Sequence, residues 1–367
     1  MLGMKINNIS IYNFRNYEQA SIDFNDNINI FIGNNGEGKT NILESIYVLA
    51  ITKSHRVYID KTLINTNKNV MKLTGKMNSI KGDKTLELVM NNKGKRVSIN
   101  RVVYKKISDY ISNLIVILFS PDDLDLIKGS PSVRRKYINI EIGQLDNKYL
   151  YYLNEYKYLL KQRNEYLKSV NINNYDETYI DILDNQLCDK AMIVYKYRFE
   201  FLNNLNRIIS SIFNDLSSGS LFIKYINNID CDIYSDDLRD KLLSKLKSSL
   251  KRDIINGSTN YGPHRDDIEF FLNDKNVRDY GSQGQQRLTV LAMKFAEVEL
   301  FKEQKGEYPI LLLDDIFSEL DILKRNAIIK YLDKGVQVFI TSTDINDIDK
   351  SILNSSKIFN IKNGNIV

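Results

Sequence analysis

Apolar and polar residues alternate through the first third of the chain, then give way to a helical period. Residues 6–11 (Ile6-Asn7-Asn8-Ile9-Ser10-Ile11) and 20–24 alternate with period two, as half-buried strands do. Residues 71–76, 85–90 and 96–103 read as further strands, with Asn92-Lys93-Gly94-Lys95 as the hairpin turn between the last two. Residues 27–32 and 114–119 end or run as continuous apolar stretches, the signature of buried strands, and the second stops at Pro121. Residues 41–49 between them place Ile42, Leu43, Ile46 and Leu49 at helical spacing. The first 120 residues thus predict strands around one helix.

Ser130-Pro131 marks the change, an N-cap followed by proline at the first helical position. From there to about Gly257 the pattern is mostly helical. Residues 145–168 carry Tyr149, Tyr152, Tyr156, Leu159 and Leu160 on one face, residues 176–216 form a second long helical pattern, and residues 236–255 a third. These segments predict either an antiparallel helical arm or an ordinary helical subdomain with tyrosines in its core. The strand–helix alternation returns from Tyr261: strands at 268–272, 310–313 and 336–341, helices at 283–303 and 320–332, and a closing hairpin of 358–361 with 365–367 over Lys362-Asn363-Gly364.

Composition adds limits. The chain has 367 residues, 43% of them hydrophobic, enough for two or three domains. Its formal charge of +5 permits an anionic partner without requiring one. Cys188 and Cys231 lie far apart and outside any metal-ligand spacing, so reduced thiols are expected. The N-terminus lacks the apolar core of a signal peptide, and no apolar run is long enough to span a bilayer. A soluble, cytoplasmic protein without a membrane partner is expected.

Gly33-Asn34-Asn35-Gly36-Glu37-Gly38-Lys39-Thr40 fills every position of the phosphate-loop pattern G-x-x-x-x-G-K-[ST]. Its glycines let the backbone curl so that N–H groups face an anion. Lys39 supplies charge to the β- and γ-phosphates, Thr40 a hydroxyl to Mg²⁺, and a helix beginning at Lys39 directs its positive end at the phosphates. A second motif, Ile310-Leu311-Leu312-Leu313-Asp314-Asp315, is an apolar strand ending in two carboxylates. Paired with a phosphate loop, Asp314 is expected to hold Mg²⁺ opposite Thr40, and Asp315 to act as general base on the attacking water. Lys39 and Asp314 lie 275 residues apart (314 − 39), and the helical block accounts for the gap. The third motif, Tyr280-Gly281-Ser282-Gln283-Gly284-Gln285-Gln286-Arg287, opens a helix and makes another anion site. One chain needs only one γ-phosphate site. The loop at Ser282 is therefore expected to close on ATP held by a second copy, in a two-fold dimer.

Together these motifs resemble the ABC-type ATPase heads of the SMC branch, and within it the RecF family of recombinational-repair ATPases. The resemblance runs over the whole chain. It rests on Ile11-Tyr12-Asn13-Phe14-Arg15-Asn16-Tyr17, the phosphate loop, Lys53-Ser54-His55-Arg56, Phe119-Ser120-Pro121-Asp122-Asp123-Leu124 and Lys128-Gly129-Ser130-Pro131-Ser132-Val133-Arg134-Arg135. It continues through Tyr261-Gly262-Pro263-His264-Arg265-Asp266-Asp267, the Gly281 block and residues 311–321, where Ser318-Glu319-Leu320-Asp321 looks like a dimer-contact loop. It implies an α/β P-loop NTPase of ABC/SMC-head type, residues 1–125 and 259–367 forming the head and 126–258 an inserted helical arm domain. It further implies ATP-dependent dimerisation, binding of single-stranded, duplex or gapped DNA, slow DNA-dependent hydrolysis, and work with RecO and RecR to load RecA in replication, repair and the SOS response. By position, Gly33, Asn34, Asn35, Gly36, Glu37, Gly38, Lys39 and Thr40 bind ATP, Lys39 and Asp315 are catalytic, Thr40 and Asp314 serve Mg²⁺, and Ser282, Gln283, Gly284 and Gln285 form the signature acting in trans.

Three departures from the general ABC pattern predict slow turnover, below about 10 s⁻¹. The usual catalytic Glu is Asp315, the switch histidine is replaced at Thr341-Ser342-Thr343-Asp344, and no glutamine occurs between Gln19 and Gln144. The same departures, with the length of the insertion, speak against the alternative of a transporter's nucleotide-binding subunit. An ATP-binding scaffold without turnover stays open. Lys53, Arg56, Lys93, Lys95, Arg96, Arg101, Lys105 and Lys106 form a basic stretch and are the DNA-contact candidates, against a merely solvated charged face. His55 and His264, each beside an Arg, read as structural hydrogen-bonding residues or as DNA or nucleotide contacts.

Overall fold

The computed structural model describes residues 3–229, 235–315, 334–345, 348 and 350–367. In chain order its elements are β1 (Lys5–Phe14), β2 (Tyr17–Asp23), β3 (Ile28–Ile32), α1 (Lys39–Ile51), β4 (Val70–Asn78), β5 (Lys84–Asn91), β6 (Gly94–Ile99), β7 (Val102–Tyr104), α2 (Ile107–Tyr110), β8 (Val116–Phe119), α3 (Asp125–Lys128) and α4 (Pro131–Leu145). There follow α5 (Asn147–Ser169), α6 (Glu177–Leu216), β9 (Leu221–Ile226), α7 (Leu238–Asn256), β10 (Asp267–Leu272), β11 (Lys275–Asn276), α8 (Val277–Tyr280), α9 (Gln283–Lys305), β12 (Ile310–Asp314), β13 (Val338–Ser342), α10 (Lys350–Asn354), β14 (Ser356–Lys362) and β15 (Asn365–Ile366). The expected helix at 320–332, the Ser318–Asp321 motif and Cys231 lie outside the described residues.

Contacts divide the chain into two units: residues 1–123, 212–218 and 290–367, and residues 124–211 with 219–289. The first unit holds two six-stranded sheets. One is antiparallel, in the order β2-β1-β4-β5-β6-β7; the other, β15-β14-β3-β13-β12-β8, is parallel except for its last hairpin. Helix α1 touches β1, β4 and β5 of one sheet and β8, β12 and β13 of the other. That explains why it is buried from Ile42 through Ile51 and not only on one stripe. Phe24, Phe31, Phe339 and Phe359 lock the phosphate-loop strand to its neighbours, with Phe24 edge-on to Phe339 at 4.8 Å and Phe31 stacked on Phe359 at 5.2 Å. Such pairs add about 0.5–1.5 kcal/mol each beyond burial. Buried Gln337 joins the sheets: Oε1 accepts from Ile6 N at 2.8 Å and Nε2 donates to Ile6 O at 2.9 Å, at the bulge in β1.

The expected strand at 96–103 is two strands. Asn100 and Arg101, at φ 49° and 70°, make the tight turn between β6 and β7, because paired left-handed residues match the twist of a hairpin.

The second unit combines α4 to α7 with the sheet β11-β10-β9. Residues 221–226, within the block expected to be helical, are a strand. Leu221 and Ile223 point into the core, and β9 pairs antiparallel with β10 from Leu221↔Leu272 to Ile226↔Asp267. The pairing, with the two-pronged Arg134–Asp267 ion pair at 2.7 Å per arm, holds residues 259–289 in this unit. Arg163, fully buried, ties three helices together: Nε to Asp184 of α6 at 2.5 Å, and Nη1 to Asp253 of α7 at 2.8 Å and to Thr259 at 2.9 Å.

Candidate nucleotide site

Strand β3 runs out into residues 33–38, and α1 starts at Lys39. Gly36 and Gly38 stand at φ 84° and 114°, conformations that L side chains rarely adopt. Gly33 is required for another reason: a Cβ there would sit 2.4 Å from the Ile361 carbonyl oxygen. Lys39 is 6% exposed, and its ammonium donates to the carbonyls of Gly33 at 2.5 Å and Asn34 at 3.0 Å. Desolvation pulls its pKa down, opposed by the nearby carboxylates of Asp315, Asp314 and Glu37.

One strand, β13, separates the phosphate-loop strand from β12, and its register sets Thr341 beside both Asp314 and Phe31. Thr40 Oγ1 donates to Asp314 Oδ1 at 2.9 Å, and Thr341 Oγ1 donates to the same oxygen at 2.8 Å. Thr341 Oγ1 also accepts from the Asp315 N–H at 2.9 Å. The position read as a missing switch histidine thus holds a residue that fixes both carboxylate residues at once. Asp315 lies at φ 51°, a left-handed conformation that Asp tolerates far better than Glu, which rationalises the shorter carboxylate.

Two threonine hydroxyls on one carboxylate make a hard, all-oxygen donor set that suits Mg²⁺. Among the described residues no group of three or more His, Cys, Asp or Glu could hold a metal alone.

Ser282, Gln283, Gly284 and Gln285 are all exposed. Ser282 caps α9: Gln285 N donates to Ser282 Oγ at 3.3 Å, and Ser282 N donates to Gln285 Oε1 at 2.9 Å. This is a reciprocal capping box, which leaves the helix's positive end turned to solvent.

The DNA-contact candidates divide. Lys95 is spent inside its lobe, on Thr52 O at 2.5 Å and Asp60 at 2.7 Å. Arg56 bonds Asn41 Oδ1 at 2.9 Å and lies 3.6 Å from Glu44. Arg96 stands 3.8 Å from Glu87 yet is largely exposed. Lys53, Lys93, Arg101, Lys105 and Lys106 are exposed.

His55 packs edge-on against Tyr47, ring centroids 5.1 Å apart. His264 lies in the second unit, between Tyr156 Oη at 2.6 Å from Nδ1 and Thr259 O at 3.0 Å from Nε2. A carbonyl only accepts, so Nε2 carries the proton and Nδ1 accepts from the phenol. Burial lowers the His264 pKa to about 4, and burial raises Asp266 to about 6 against the pull of Arg198 and the hydrogen bond from Tyr225. The two residues therefore link to protons with opposite sign. The unfolded chain holds the extra His264 proton between about pH 4 and 6.5, so that term strengthens as pH rises; the folded chain holds the extra Asp266 proton between about pH 4 and 6, so that term weakens. Relative to the unaltered chain, Asp266→Asn should gain and His264→Asn should lose about 2 kcal/mol from pH 4 to 6. Urea midpoints at the two pH values measure it; parallel curves for all three proteins would refute it.

The two-layered head, its phosphate loop and the strand-end carboxylate define a P-loop ATPase of the ABC/SMC-head type. Residues 5–366 match the family model of the RecF/RecN/SMC N-terminal domain. DNA replication and repair protein RecF of Ligilactobacillus salivarius is 40% identical, with 99% of this chain and 97% of that protein covered. RecF of Streptococcus agalactiae is 43% identical over 99% of this chain and 98% of its own length. Solved structures of the recombination mediator protein RecF in the RecFOR pathway, as RecF-ATP and RecF-ATPrS, superpose with TM-scores of 0.93 and 0.92 at 32% identity, covering all of this chain and 97% and 98% of theirs. The SMC head of Pyrococcus furiosus, at TM-score 0.54 and 17% identity over 99% of this chain and 96% of that one, shares the fold. The chain belongs to the RecF family. Among its described residues, no helix is long and apolar enough to cross a membrane.

Proposed function

We propose that this chain is an ATP-dependent DNA-binding repair protein, in which nucleotide joins two copies on DNA and slow hydrolysis parts them. The observation that carries the reading is the bond between Thr40 and Asp314, which unites the phosphate loop with the strand-end carboxylate in one constellation. In this reading the amides of residues 33–40 bind the phosphates, and Lys39 bears on the β- and γ-phosphates. Thr40 and Asp314 would hold Mg²⁺, which supplies charge neutralisation at the phosphates when bound. Asp315 accepts the proton of the attacking water. Ser282, Gln283, Gly284 and Gln285 present the N-terminal end of α9 to nucleotide held by a second copy. Binding of RecF homologues to ATP, and their placement in the RecFOR pathway, support nucleotide use and a role beside RecO and RecR in loading RecA at gapped DNA, with consequences for replication and the SOS response. Cytoplasmic location follows from that role. The relatives named above are DNA repair proteins and an SMC head, and they lend no support to the transporter-subunit alternative.

The exposed Lys93, Arg96, Arg101, Lys105 and Lys106 are the proposed phosphate contacts, with Lys53 and Arg56 beside them; Lys95 serves its own lobe. Binding to duplex DNA in ATP should fall steeply with salt, and removing one contact should lower the logarithmic slope by about 0.9. Fluorescence anisotropy at several salt concentrations, with Arg101→Ala and Lys105→Ala against Lys95→Ala, tests this. Slopes unchanged in the first two variants would refute the assignment.

A further inference from the structure

The back of the phosphate loop is built from the two ends of the chain. The Glu37 carbonyl accepts from Asn16 Nδ2 at 3.2 Å and from Gly364 N at 2.9 Å. The next carbonyl, of Gly38, accepts from Tyr17 Oη at 3.1 Å as well as from the first turn of α1. Asn16 is itself fixed, because its Oδ1 accepts from Asn41 Nδ2 at 2.8 Å and its neighbour Arg15 forks onto Glu44 at 2.8 and 2.7 Å. Tyr17 is fully buried, and burial holds its phenol protonated and therefore a donor. Gly364 belongs to the two-residue turn between β14 and β15, at φ 71°. The fit is close: a Cβ on Gly364 would lie 2.7 Å from Asn16 O, and one on Gly38 would lie 2.6 Å from Asn16 Nδ2.

In a trans peptide the C=O and the following N–H point in opposite directions. Holding the Glu37 and Gly38 carbonyls from behind therefore turns the N–H groups of Gly38 and Lys39 toward the other side, where an anion is cradled. We propose that Asn16 and Tyr17, with the C-terminal turn at Gly364, are positioning residues that hold the phosphate loop in its binding conformation. This inference rests on the ATP-binding reading above. Its contribution is preorganisation: without the brace, binding must first order the loop. Because the amides of such a loop bear on the α- and β-phosphates, the effect falls on ATP and ADP alike.

Titration of the full chain with fluorescent N-methylanthraniloyl derivatives of ATP and ADP tests it, with thermal melts in the absence of nucleotide. Asn16→Ala should weaken both nucleotides about ten-fold, the effect of one oriented hydrogen bond, while the nucleotide-free melt stays close to that of the unaltered chain. Asn16→Asp keeps the acceptor for Asn41 but loses the donor, and should bind no better than Asn16→Ala. Tyr17→Phe should weaken binding in the same direction. Asn8→Ala, which removes a surface hydrogen bond to Asp23 in the same sheet, should leave affinity unchanged. Unchanged affinity in Asn16→Ala, recovery in Asn16→Asp, loss confined to ATP, or an equal loss in Asn8→Ala would each overturn the brace. Failure of the unaltered chain to bind either nucleotide would overturn the ATP reading instead.

Discussion

Asp315→Asn is expected to bind ATP as the unaltered chain does and to hydrolyse it at least about 100-fold more slowly, the usual contribution of a general base. The carboxamide keeps the volume of the side chain, and asparagine accepts the left-handed backbone at φ 51° at least as well as aspartate. The Thr341 hydroxyl binds the backbone N–H of residue 315, which the substitution leaves in place. What goes is the basic oxygen. Single-turnover hydrolysis, alongside nucleotide titration, separates the two effects. Loss of ATP affinity would mean that Asp315 serves binding; unchanged hydrolysis would mean that another group activates water. Lys39→Met is the contrasting case and should lose binding itself.

Ser282→Asp is expected to leave ATP affinity of the single chain intact while abolishing its ATP-driven dimerisation. Aspartate is as good an N-cap as serine, so the start of α9 and its link to Gln285 survive. Its charge, however, would face the γ-phosphate of a nucleotide bound to the other copy. Two like charges within about 4 Å repel by several kcal/mol where water is partly excluded, enough for a hundred-fold or greater weakening of the dimer. Sedimentation velocity with ATP reads the result. A Ser282→Asp chain that dimerises normally would remove the loop from the interface.

Much of the fold and the site is legible in the sequence. Helix α1 begins at Lys39 and α6 occupies almost the stretch read from its period, because both are long and dense in apolar positions at helical spacing. The phosphate-loop motif and the apolar strand ending at Asp314 are equally plain, since each pattern stands whole in one short stretch of sequence. Strand β9 is not. Six residues between helices carry little periodic signal, and the partner that makes them a strand, β10, comes some forty residues later. Thr341 is visible only as the absence of a histidine, because its hold on Asp314 and Asp315 depends on the β12–β13 register. Asn16 and Tyr17 lie within a block that carries the family resemblance, yet nothing local says that their donors reach carbonyls some twenty residues further on. Lys95, a basic residue in a basic stretch, bonds Thr52 and Asp60, contacts that no local pattern announces.

The central claim is that nucleotide joins two copies of this chain through Ser282. Light scattering on Asp315→Asn with saturating ATP and Mg²⁺ tests it most directly, since blocked hydrolysis keeps the joined state from decaying. The expected result is a mass twice that of the 42.6 kDa chain with ATP, a single chain without it, and a single chain when Ser282→Asp is added. A mass that stays at 42.6 kDa in saturating ATP, with binding confirmed in the same sample, would contradict it.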